Sequence, residues 1–119
     1  MSNPDKFGRL VRQKRKDAKK TLADLAGILG VSIVYVSDVE RGKRPPWRPD
    51  LIIQAANFLG VDPQGLLVAA AAVRGSFQLD ASHLSPEAAH AGAALMRGWE
   101  ELTDQDLIEI RNIVERRLR

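Results

Sequence analysis

The sequence predicts an all-α protein. Three observations carry the prediction. Apolar residues recur at three- and four-residue intervals along most of the chain. No stretch keeps the strict apolar–polar alternation of a half-buried strand. Most of the apolar stripes are bracketed by a hydroxyl or carboxylate residue before them and a glycine after them, the ordinary start and stop signals of helices.

In chain order, Phe7, Leu10, Val11 and Ala18 form the first stripe, on a helix expected to end near Lys19 with basic residues around the rest of its circumference. Thr21 then offers an N-cap hydroxyl with Asp24 at the third helical position, and Leu22, Leu25, Ala26 and Leu29 follow before Gly30, a left-handed stop. Ser32 caps the next helix, Val36 and Val39 are its inward positions, and Gly42 closes it. Pro45, Pro46 and Pro49 predict a stiff extended connection over 43–49, because proline fixes φ and disfavours helix in the residue before it. A fourth helix is expected from Asp50 to Leu59, ended by Gly60, and a fifth from Pro63 to Arg74, opened by Asp62 and followed by Gly75. After the loop SFQLDASHL, Ser85 and Pro86 open a helix with the stripe Ala88, Ala91, Leu95, Trp99 and Leu102. Thr103 caps a last helix carrying Leu107, Ile110, Val114 and Leu118.

The length of 119 residues is that of one domain with a small appendage, read here as residues 1–75 and 76–119. A content of 45% hydrophobic and 28% charged residues is ordinary for a soluble globular protein, and no apolar run approaches the ~20 residues of a membrane span. The start, MSNPDKFGRLVRQKRK, has no secretory signal pattern, and cysteine is absent, which excludes disulfides and thiolate metal sites and fits a cytoplasmic protein. Charge is divided unevenly. Residues 1–75 carry 13 Lys and Arg against 7 Asp and Glu, whereas residues 76–119 carry 5 against 8. The cations cluster between Lys6 and Lys20 and between Arg41 and Arg48, which suits either a solvated face or a polyanion-binding surface.

Two helices joined by a short turn around a glycine, Leu22 to Leu29 and then Ile33 to Arg41, make a helix-turn-helix pattern. Ala26 is small where the two helices cross, Gly30 can take positive φ at the turn, and Val36 pins the second helix to the first. Together with the Arg-rich first helix, the segments LADLAGILGVS, VSDVERGKRPP and ANFLGVDPQGLL make residues 5–70 resemble the Cro/repressor (XRE) helix-turn-helix family. The resemblance implies a five-helix lambda-repressor-like bundle, here followed by a two-helix C-terminal extension. It also implies a regulator whose second motif helix enters the major groove of double-stranded DNA.

By position, the resemblance pairs Arg15 with Glu40 as a structural ion pair and puts base-contacting side chains at Ile33, Val34 and Asp38, with Tyr35 and Ser37 beside them. The sequence departs from the family where donors for guanine and adenine are usual. Isoleucine and valine can only contact thymine methyl groups, and Asp38 can accept from cytosine while repelling phosphates. The lesser alternative for Ile33 and Val34 is a protein interface or an extension of the core, and Val36 and Val39, which already occupy the inward face, argue against the core. Candidate phosphate contacts are Lys20, Thr21, Ser32, Arg41, Lys43, Arg44 and Arg48. Leu22 stands where relatives carry a phosphate-binding Gln, and Lys20 where they carry an apolar residue, which predicts a more solvated turn. Trp47 suits either a sugar–phosphate stack or a cover for the edge of the bundle.

The two tail helices are amphipathic and too short to bury their apolar faces alone. Leu95, Trp99, Leu107, Ile110, Val114 and Leu118 are expected to form a homodimer contact. Docking on the chain's own bundle, or on a partner such as a toxin or an anti-repressor, satisfies the same faces. His83 and His90 are the two histidines, and no metal-ligand spacing, phosphate loop or catalytic signature accompanies them. Neither an enzyme nor a cofactor is expected.

Overall fold

The computed structural model describes residues 6–119, so the first five, where the expected domain and the resemblance begin, lie outside the described residues. The described residues form seven α-helices and no strand: α1 (Lys6–Asp17), α2 (Leu22–Leu29), α3 (Ile33–Glu40), α4 (Pro49–Leu59), α5 (Pro63–Arg74), α6 (Pro86–Gly98) and α7 (Asp104–Leu118). The chain divides into two compact units, one reaching to Gln78 and one running Leu79–Arg119.

In the first unit α1 packs on α3 and α5, α2 on α3 and α4, and α4 on α5. The shared core is built from Phe7, Val11, Leu25, Val36, Ile52 and Leu66, joined by the small residues Ala26, Ala55 and Ala56 where helices approach closely. The caps follow the sequence signals. Thr21 accepts from the Asp24 amide at 3.0 Å while the Asp24 carboxylate accepts from the Thr21 amide at 2.9 Å, a reciprocal pair that satisfies two of the free donors at the start of α2. At the other end Gly30 adopts φ 70°, and the Val31 amide bonds back to the Ala26 carbonyl at 3.0 Å. LeuGlyVal closes α4 in the same way through Gly60 and Val61, and both valines pack against the core.

Two helix boundaries need correction. Helix α1 ends at Asp17, not near Lys19, because the chain turns there through Lys19 at φ 59° and the Lys20 amide reaches back to the Arg15 carbonyl. Helix α4 begins at Pro49, one residue before the expected start, since proline with its preset φ is suited to the first helical position. Trp47 packs from the proline loop into the core of the bundle, 1% exposed and meeting the Phe7 ring edge-on at 5.7 Å, so it does not stack on a sugar. Lys20, between the exposed Lys19 and Thr21, is half-buried. Its ammonium sits 5.1 Å from the centre of the Phe58 ring, where an aliphatic stem and a cation cover the ring together.

In the second unit α6 is capped by Ser85 and ends in a 3-10 turn, Trp99–Glu101. Helix α7 is opened by a second reciprocal capping pair, Thr103 with Asp106. Trp99 thus belongs to this turn and not to the helix whose stripe it was expected to extend. No residue of α6 or α7 is buried: Leu95, Leu107 and Ile110 are half-buried, and Met96, Trp99, Val114 and Leu118 are exposed. No single helix among the described residues is long and apolar enough to cross a membrane.

Candidate nucleic-acid interface

Between α2 and α3 the chain turns through 110°, within the range of a helix-turn-helix corner. Gly30 makes the turn, and Ser32 restarts the helix by accepting from the Tyr35 amide at 3.0 Å. Val36, Val39 and Glu40 are buried against the bundle, which fixes the opposite side of α3 toward solvent. That outward side carries Ile33 and Val34, 50% and 66% exposed, then Ser37, Asp38 and, just past the helix, Arg41.

Two buried contacts hold α3 at this orientation. Arg15 donates from Nε to Glu40 Oε2 at 2.7 Å and from Nη2 to Oε1 at 3.0 Å, while Nη1 donates to the Lys20 carbonyl at 2.9 Å. One guanidinium therefore ties the end of α3 to α1 and to the turn before α2. The hydrogen bond to Glu40 raises the Arg15 pKa above the ordinary arginine value, and burial opposes the rise. Gly8 is the second contact. A Cβ at this position would fall 2.5 Å from the Glu40 carbonyl oxygen and closer still to that of Val39, so α1 and α3 cross at a distance only glycine permits. Sequence reading missed Gly8. A lone glycine inside an apolar helical stripe is a signal for such an approach, but it does not name the partner.

Charged groups surround the outward side of α3 in specific pairs. Asp38 Oδ1 accepts from Arg41 Nη2 at 3.0 Å, and Asp38 Oδ2 lies 3.5 Å from Arg44 Nε. The Arg44 guanidinium is also 5.2 Å from the centre of the Tyr35 ring. Beyond the prolines, Arg48 pairs with Asp50 at 2.9 Å. Lys43 is exposed next to them, as is Thr21 at the start of α2. Arg74, at the end of α5, donates to the Pro46 carbonyl and so anchors the loop that carries Lys43 to Arg48. The arrangement is an apolar helix start followed by two guanidiniums, Arg41 and Arg44, paired to one carboxylate, with Lys43 and Arg48 exposed in the loop beyond.

Residues 6–70 match the helix-turn-helix domain family. The uncharacterized HTH-type transcriptional regulator RghRB of Bacillus subtilis (strain 168) is 26% identical, over 85% of this chain and 83% of that protein. Among solved structures, the clp gene regulator ClgR from C. glutamicum is 31% identical, over 65% of this chain and 95% of that one, with a TM-score of 0.49. The SinR–SinI complex gives 21% identity, 93% and 96% coverage, and a TM-score of 0.46. With its match extending over more than half of its length, the chain belongs to the helix-turn-helix domain family of DNA-binding transcription regulators.

Proposed function

We propose that this protein acts as a homodimeric repressor that occupies an inverted-repeat DNA site in the cytoplasm, with α3 in the major groove of each half-site. The observation that supports this reading is the split of α3. Its inner side is committed to the core through Val36, Val39 and Glu40, and its outer side is solvent-facing and flanked by Arg41, Lys43, Arg44 and Arg48. Ile33 and Val34 offer methyl groups to thymine, while Arg41, Lys43 and Arg48, with Lys20, Thr21 and Ser32, hold the strands. Dimerisation through α6 and α7 accounts for the unburied apolar side chains Met96, Trp99, Val114 and Leu118. A two-fold axis sets the half-sites about one DNA turn apart.

A selection from randomised duplexes, with solution mass measured on the full chain and on residues 1–78, tests the proposal. The expected result is an inverted repeat bound by a dimer, with the truncated chain folded and monomeric. A dimer that survives truncation moves the interface elsewhere. A second reading, a protein-interaction module acting as an antitoxin or a DNA-free adaptor, is favoured by the exposure of Ile33 and Val34. It predicts weak binding that ignores DNA sequence.

A further inference from the structure

The outward side of α3 is short of hydrogen-bonding groups, because Ile33 and Val34 have none and Asp38 has both carboxylate oxygens engaged. Oδ1 is held by Arg41 at 3.0 Å and Oδ2 faces Arg44 Nε at 3.5 Å. The Asp38 side chain is 19% exposed against 52% and 53% for the two arginines, so the carboxylate sits behind the guanidiniums. A shielded, doubly paired anion is a poor acceptor for a cytosine amino group.

Arg44 has the complementary character. Its Nε is anchored on Asp38 and its guanidinium lies against Tyr35, so the side chain folds back along α3 instead of following the loop. No hydrogen bond within the described residues holds either terminal Nη group, and their planar fork matches O6 and N7 of guanine. A phosphate contact needs charge and tolerates loose geometry, whereas a base contact needs a fixed direction. An ion pair this exposed adds little to folding, so what it supplies is orientation.

We propose that Arg44 reads a guanine and that Asp38 and Tyr35 are its positioning residues; the inference rests on α3 being the helix that enters the groove. It assigns Arg44 to base recognition, where sequence reading expected a phosphate contact, and it removes Asp38 from the base-reading set.

The experiment compares duplex selection and salt-dependent affinity for the full-length wild type, Arg44→Lys and Asp38→Asn, each verified as folded by circular dichroism. The wild type is expected to select one G·C pair per half-site. Arg44→Lys keeps the charge and loses the fork. It should erase that preference and bind the selected site about tenfold more weakly, the effect of losing one bidentate base contact. Its salt slope and its affinity for an unrelated duplex should not change. Asp38→Asn should relax the same base position while binding the unrelated duplex more tightly, since a charge that repels phosphates is gone. If the wild type selects a site but Arg44→Lys weakens both duplexes equally, or if Asp38→Asn alters a different position, the inference fails and the DNA-binding reading stands. A wild type with no duplex preference overturns both.

Discussion

Arg15 and Glu40, 25 positions apart in the chain, close on each other through two parallel hydrogen bonds of 2.7 and 3.0 Å, and they are the two buried charged side chains among the described residues. Removing one member of such a pair strands the other charge, at a cost of ~3–5 kcal/mol, whereas replacing both by apolar residues of similar volume is often neutral. Glu40→Ala should therefore lower stability by about 3 kcal/mol or more. The double variant Arg15→Met with Glu40→Leu should recover most of the loss. Urea denaturation of the single and double variants checks both expectations. DNA affinity of the Glu40→Ala protein should fall mainly through unfolding.

Gly8 should not accept a methyl group. The carbonyl oxygens of Val39 and Glu40 are backbone atoms that cannot rotate away, so Gly8→Ala must push α1 off α3. Overpacking of this kind costs about 1–3 kcal/mol, and here it outweighs the gain in helix propensity of about 1 kcal/mol that alanine brings. A lowered melting temperature is expected. An unchanged or raised one would mean that the two helices have room to separate.

The two tryptophans report on different units. Trp47 is buried in the core and Trp99 is half-exposed in the tail. Trp99→Phe should leave blue-shifted fluorescence that moves red on unfolding, and Trp47→Phe should leave emission already near that of tryptophan in water. Trp47→Ala should cost ~3–5 kcal/mol. Trp47→Phe should cost less, because among the described residues the buried Nε1 has no hydrogen-bond partner to lose.

The start of α2 carries an acid-sensitive contact. The Thr21 backbone amide, and then its hydroxyl, hold the Asp24 carboxyl below its ordinary pKa. A depressed carboxyl adds stability that is full above the unfolded value of about 3.9 and is lost as pH falls through the folded value. The stability difference between wild type and Asp24→Ala should be constant near neutral pH and shrink below about pH 4. Thermal melts across that range show it. Thr21→Ala, which removes the cap hydroxyl, should cost about 1 kcal/mol at neutral pH.

Lys43 is exposed in the loop beyond α3, and the phosphate contact proposed for it would carry no base information. Lys43→Ala should weaken binding to every duplex by the same factor and reduce the slope of log affinity against log salt by about 0.9 per half-site. A change confined to one sequence would place this lysine at a base edge.

Local chemistry determined the elements. Capping residues and left-handed glycines act within a few positions, so Thr21 with Asp24, Gly30, Ser32 and the Asp62–Pro63 pair marked helix ends in the sequence that the structure reproduces closely. The boundaries that moved, at Asp17 and Pro49, lie where a lysine takes a conformation usual for glycine and where a proline serves a helix instead of the loop before it. Periodicity likewise marked Val36 and Val39 as inward positions, because one face of a helix repeats at fixed intervals.

What periodicity cannot specify is which distant groups meet. The burial of Trp47 against Phe7, the crossing of α1 over α3 at Gly8, and the folding of Arg44 back over Tyr35 toward Asp38 all depend on where the helices lie in three dimensions. Residue types fixed the hydrogen-bonding capacity of the α3 surface. Packing decided which of those groups satisfy one another and which are left to face solvent, because a contact's direction is set by the crossing of whole helices and not by the order of residues along one of them.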